Sequence, residues 1–75
     1  MEPKEIFELI VKADERLKYA TGDRAGQRRD QARELLLQAL AAAREANNDA
    51  LVRQAELRLA DLDATGAGET PGAEA

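Results

Sequence analysis

Apolar residues near the start of the chain fall at Ile6, Ile10, Ala13, Leu17 and Ala20. This alternating four-three spacing keeps them on one side of a helix. Pro3 suits a first helical position, where a backbone N–H would have no partner anyway. The pattern predicts a helix over residues 3–20, and Gly22 supplies its stop. Phe7, Leu9 and Val11 widen the apolar stripe beyond what one packing partner can cover.

The stretch Thr21-Gly22-Asp23-Arg24-Ala25-Gly26 reads as a turn. Either Asp23 caps the next helix by accepting backbone N–H bonds, or that helix begins only after Gly26. Its stripe is Ala32, Leu36, Ala39, Ala43 and Ala46, with Leu35 and Leu40 beside it, and it predicts a helix over 24–46. The run from Ala39 to Ala43 has high helix propensity and presents small residues, so a neighbour can approach closely. Asn47-Asn48-Asp49 then breaks the pattern, because these side chains compete for backbone hydrogen bonds and favour caps and turns. A third helix is predicted over 49–63, with Leu51, Val52, Ala55, Leu59 and Leu62 inward and Leu57 off the main face. No alternating, strand-like stretch occurs. From residue 64 to 75 glycine, proline and alanine replace the large apolar residues, and the expectation is a disordered acidic tail.

Short turns make successive helices antiparallel neighbours. The predicted fold is therefore all-α: an antiparallel three-helix bundle with a long central helix, over residues 1–63.

Composition sharpens this picture. In a chain of 75 residues, 33 are hydrophobic but 16 of these are alanine, so the core is small. A body of this size gains from covering apolar surface with a second copy or a partner. Histidine, cysteine and serine are all absent, which removes the usual nucleophile–base pairings and thiolate or imidazole metal sites. We expect no enzyme activity, no cofactor and no bound metal. The net charge of −4 argues against nucleic acid as a partner. No apolar run approaches a membrane span. The start, Met-Glu-Pro-Lys-Glu, lacks the basic and apolar regions of a signal peptide, so the expected compartment is the cytoplasm.

Several groupings invite a chemical reading. Arg24, Arg28, Arg29 and Arg33 could form a basic patch, with Arg24 beside Arg28 and Arg29 beside Arg33. Interleaved Asp23, Asp30 and Glu34 favour reading it as a solvated face. Glu2 and Glu5 suit the first turn of a helix, where negative charge complements its dipole. Glu8 with Lys12, and Asp14 with Lys18, have the spacing of ion pairs along one helix. Gly22 and Gly26 lack the context of a phosphate loop and read as turn punctuation. Tyr19 is expected to be partly buried with its hydroxyl in water. The surplus of apolar surface is the strongest functional signal: Leu35-Leu36-Leu37 spreads leucines around most of a turn, and three helices cannot cover every direction.

Ala32, Leu36 and Ala39, following the turn at Gly22–Gly26, resemble the small–large–alanine series of a tetratricopeptide repeat. Asn47 to Val52 is similar to a junction between such repeats, and only about one and a half repeats would fit. The same segment, roughly residues 13–62, is also similar to microtubule-interacting-and-trafficking domains, which are three-helix bundles. Both resemblances imply grooves between helices that hold peptides or other helices.

The expected function is a non-catalytic protein–protein interaction module that binds a helix or peptide and pairs with itself. The expected contacts are Phe7, Val11, Leu37 and Leu57, with Arg28, Arg29 and Arg33 as an electrostatic rim. The alternative is a small regulatory factor that binds nucleic acid or an acidic partner through Arg24–Arg33.

Overall fold

A computed structural model describes residues 1–20, 22 and 25–69, with side chains described through residue 64. It contains three helices, α1 (Pro3–Lys18), α2 (Ala25–Glu45) and α3 (Asp49–Glu69). The all-α three-helix bundle predicted from periodicity is the fold observed. Among the described residues, no helix is long and apolar enough to cross a membrane.

The helix ends follow from local chemistry. Pro3 opens α1, and the Glu5 carboxylate accepts the N–H of Glu2 at 2.9 Å. This satisfies a donor that the first turn leaves without a helical partner. The helix stops at Lys18, two residues before the expected end. The N–H of Tyr19 still reaches the Glu15 carbonyl at 3.3 Å, and the N–H of Ala20 tightens onto the Leu17 carbonyl at 3.1 Å. Gly22 then takes a left-handed φ of 67°, which glycine adopts without a Cβ clash. Asp23, the candidate cap of α2, lies outside the described residues.

The α2–α3 connection spans only residues 46–48. Asn48 donates its N–H to the Ala43 carbonyl at 2.9 Å, and Asn47 donates to the Arg44 carbonyl at 3.1 Å. Asn47 sits at a left-handed φ of 55°. Together these form a Schellman closure with asparagine where glycine is commonest. Asn48 also starts the next helix, its Oδ1 accepting the N–H of Leu51 at 3.2 Å. One residue thus closes α2 and caps α3, so the chain reverses within a few residues.

Helix α3 runs to Glu69 rather than stopping at residue 63. Once a helix is nucleated, each added residue gains a backbone hydrogen bond at little further cost. Ala64 and Ala67 favour this continuation despite Gly66 and Gly68. Residues 70–75 of the expected tail lie outside the described residues. The extension gives α3 the same length as α2, at 21 residues each, so the central helix is not the single longest one.

The core is formed by Ile6, Ile10 and Ala13 of α1, Ala32, Leu36, Ala39 and Ala43 of α2, and Ala55 of α3. Leu62 is buried as well. Three of the four buried α2 positions are alanine. Small residues there let the flanking helices come close, and they leave Ile6, Ile10 and Leu36 as the largest fully buried side chains. Helix α2 packs extensively on both neighbours, whereas α1 and α3 touch each other sparingly. Their seam is closed by Arg58, whose Nε donates to both oxygens of Asp14 at 3.0 and 3.1 Å. The Nη1 of Arg58 also donates to the Gln54 carbonyl at 3.3 Å. Asp14 therefore pairs across the bundle rather than with Lys18. Lys18 places its ammonium 5.8 Å from the centroid of the Tyr19 ring.

Candidate interaction surface

All four residues expected to contact a partner are exposed. Phe7 is 52% accessible, Val11 38%, Leu37 50% and Leu57 55%. Helix geometry, together with the cross-helix ion pairs, shows which of them share a surface. Phe7, Val11 and Asp14 lie on neighbouring turns of one flank of α1. Asp14 reaches Arg58, so this flank borders α3. Leu37 lies on the flank of α2 that also carries Arg33 and Arg44. Arg33 bonds Asp63 at 2.9 Å, and Arg44 bonds Glu56 at 3.4 Å, both on α3.

Helix α3 thus shows Arg58 to α1 and Glu56 with Asp63 to α2. The Phe7–Val11 pair and Leu37 consequently lie on two different outer faces of the bundle. Leu57 is one position before Arg58 and one after Glu56, on the back of α3, away from the core marked by Ala55. The four expected contacts do not form one continuous face. Phe7 and Val11 do come together: with Lys4, Glu8 and Lys12 they line a shallow, mainly apolar depression of about 540 Å³.

The expected arginine rim separates in the same way. Arg33 is taken up by Asp63. Arg29 is half-buried and engaged in an interaction of its own. Arg28, also half-buried, turns toward α1 and lines a second concavity with Lys12, Glu15, Arg16 and Tyr19. Arg24 lies outside the described residues. Helical spacing along α2 carries no information about carboxylates on other helices. The Arg33–Asp63 pair spans 30 positions and could not be read from local pattern.

Sequence reasoning also missed the meeting of Arg28 with Lys12 and Arg16. A signal existed: Lys12 and Arg16 are four apart near the end of α1, and an antiparallel turn brings that end against the start of α2. Tyr19 was expected to be partly buried but is 63% accessible. The cause is the early end of α1, which leaves Tyr19 at the cap rather than in a packed turn. Among the described residues, no group of three or more His, Cys, Asp or Glu side chains is placed to hold a metal ion.

In comparisons with protein-family models, curated proteins and solved structures, the chain matches none.

Proposed function

We propose that this chain is a non-catalytic protein–protein interaction module that binds a helix or peptide, including a second copy of itself, through the Phe7–Val11 face of α1. The observation that carries the reading is the apolar depression at Phe7 and Val11, framed by Lys4, Glu8 and Lys12. A cytoplasmic setting goes with it. The frame is complementary to itself. In an antiparallel α1 pair with its twofold near residue 9, Phe7 meets Val11 of the second copy. In that arrangement Lys4 approaches Asp14 or Glu15 of the second copy, and Glu8 approaches Lys12. Opposite charges then flank an apolar centre, the arrangement that sets register in helix pairs. Two side chains supply little area compared with the 1,200–2,000 Å² of a typical stable interface, so pairing is weak and reversible.

Sedimentation velocity from about 10 μM to about 1 mM tests this, because affinities of that order correspond to only about 4–7 kcal/mol. The expected result is a mass that rises with concentration, abolished in Phe7→Glu and retained in Leu37→Glu. A wild-type chain that stays monomeric throughout would remove self-pairing. Equal loss in both variants would remove the choice of face. The alternative, recognition of nucleic acid or an acidic partner through Arg24–Arg33, has less support because Arg33 is already paired with Asp63.

A further inference from the structure

We propose that Lys12, Arg16, Arg28 and Tyr19 form a binding site for a phosphate monoester. With Glu15 they line a concavity of about 410 Å³ where the end of α1 meets the start of α2. Three cations from two helices converge there against one carboxylate, in a chain whose net charge is −4.

Among the described residues these cations form no ion pair, and Glu15 is the one carboxylate lining the concavity with them. The ion pairs among the described residues engage Arg33, Arg44 and Arg58. None reaches Lys12, Arg16 or Arg28, nor does any hydrogen bond. Three cations against one carboxylate leave an excess of like charge, which is unfavourable, and a bound anion relieves that cost directly. Other features point the same way. Arg28 is half-buried and lines the concavity from α2. Its planar fork matches the oxygens of a phosphate. The first turn of α2 itself holds no acidic residue, and the positive end of a helix dipole favours an anion. The ammonium of Lys18 over the Tyr19 ring adds positive potential at the rim, and the Tyr19 hydroxyl is available to donate.

The charge selects a dianion over a singly charged carboxylate, since three cations gain about twice as much from it. The concavity is larger than a phosphate ion, which leaves room for the esterified group. A nucleic-acid strand fits poorly, because Glu8 and Glu15 continue along α1 and would repel successive phosphates. The site shares Lys12 with the border of the Phe7–Val11 depression but does not depend on self-pairing.

The chain has one tyrosine and no tryptophan, so intrinsic fluorescence reports on Tyr19 alone. Titration at low ionic strength with inorganic phosphate, with O-phosphoserine and with a short phosphoserine peptide is the test, with chloride at matched ionic strength as the control. The expected result is a saturating change at millimolar phosphate or phosphoserine. Amide NMR shifts are expected to be confined to residues 12–19 and 25–28. Arg28→Gln should weaken binding roughly tenfold, the effect of one lost charged hydrogen bond. Lys12→Gln, at an exposed position, should weaken it without affecting folding, and Arg53→Gln on α3 should leave it unchanged. Tighter capture of the peptide than of free phosphoserine would identify a phosphorylated segment as the source. Equal affinity would identify a small phosphoester. A change that does not saturate, that chloride reproduces, or that survives both Arg28→Gln and Lys12→Gln would overturn the proposal.

Discussion

Leu36 and Leu37 are adjacent and chemically identical, yet Leu36 is fully buried and Leu37 half exposed. Truncating each to alanine therefore tests the placement of α2 directly. Leu36 is the one large side chain among the buried positions of that helix, in a core that also holds Ile6, Ile10 and five alanines. Alanines cannot swing in to fill the space, so Leu36→Ala loses both transfer energy and packing, about 2–5 kcal/mol. Leu37→Ala removes a side chain that is already half in water. Full burial of a leucine is worth about 1.5–3 kcal/mol, so half of that, offset slightly by the better helix propensity of alanine, leaves about 1 kcal/mol or less. A domain this small holds roughly 4–11 kcal/mol in total. Leu36→Ala should thus remove a large share of stability, and Leu37→Ala a minor one. Urea unfolding followed by circular dichroism, at a concentration low enough to keep the chain monomeric, measures both. In thermal melts the difference should exceed about 5 °C. Equal losses, or a larger loss at Leu37, would mean that α2 is rotated by about one residue, some 100°, and the assignment of outer faces above would fall with it.

Gly22 and Gly26 should respond to substitution with opposite signs. Gly26 lies inside α2 with open space where a Cβ would go, so Gly26→Ala should stabilise by up to about 1 kcal/mol. Gly22 has equal space but a φ of 67°, so Gly22→Ala should cost about 1 kcal/mol. Opposite shifts in urea midpoint check both, and shifts of the same sign would contradict the backbone assigned at residue 22. Asn48→Ala removes the cap of α3 and should cost about 1 kcal/mol. Hydrogen exchange should show the loss first as faster exchange at Leu51, whose N–H the side chain accepts.

The fold was legible in the sequence because its core is written locally. Ile6, Ile10 and Ala13, and then Ala32, Leu36, Ala39 and Ala43, repeat at helix spacing and all prove buried. The exposure of Phe7, Val11, Leu37 and Leu57 was legible for a related reason, since each falls outside a stripe already wide enough to face one neighbour. What spacing does not encode is how the flanks of different helices turn relative to one another. That arrangement rests on Asp14–Arg58, Arg33–Asp63 and Arg44–Glu56, which join residues 12 to 44 positions apart. The ends of α1 and α3 were misplaced because their boundaries depend on backbone hydrogen bonding at Tyr19 and Ala20, and on simple helix propagation past residue 63.

Those three ion pairs also explain why the two candidate surfaces are separate. All of them are exposed or half-exposed, so each contributes little stability in water, typically under 1 kcal/mol. Their consequence is instead one of distribution. They draw Arg33 and Arg44 of α2 toward Asp63 and Glu56 on one flank of α3, and Asp14 of α1 toward Arg58 on the other. Helix α3 is consequently stitched to both neighbours along polar seams. Among the described residues, the side of α1 nearer the start of α2 has no such stitch, and there Lys12, Arg16 and Arg28 form no ion pair with a carboxylate. Helix α1 therefore carries an apolar depression at one end and a concavity with an excess of cations at the other, meeting at Lys12. A ligand that neutralises Lys12 would remove one of the charges expected to pair with Glu8 of a second copy. Phosphate binding and α1 self-pairing should oppose each other for that reason, through a single shared side chain.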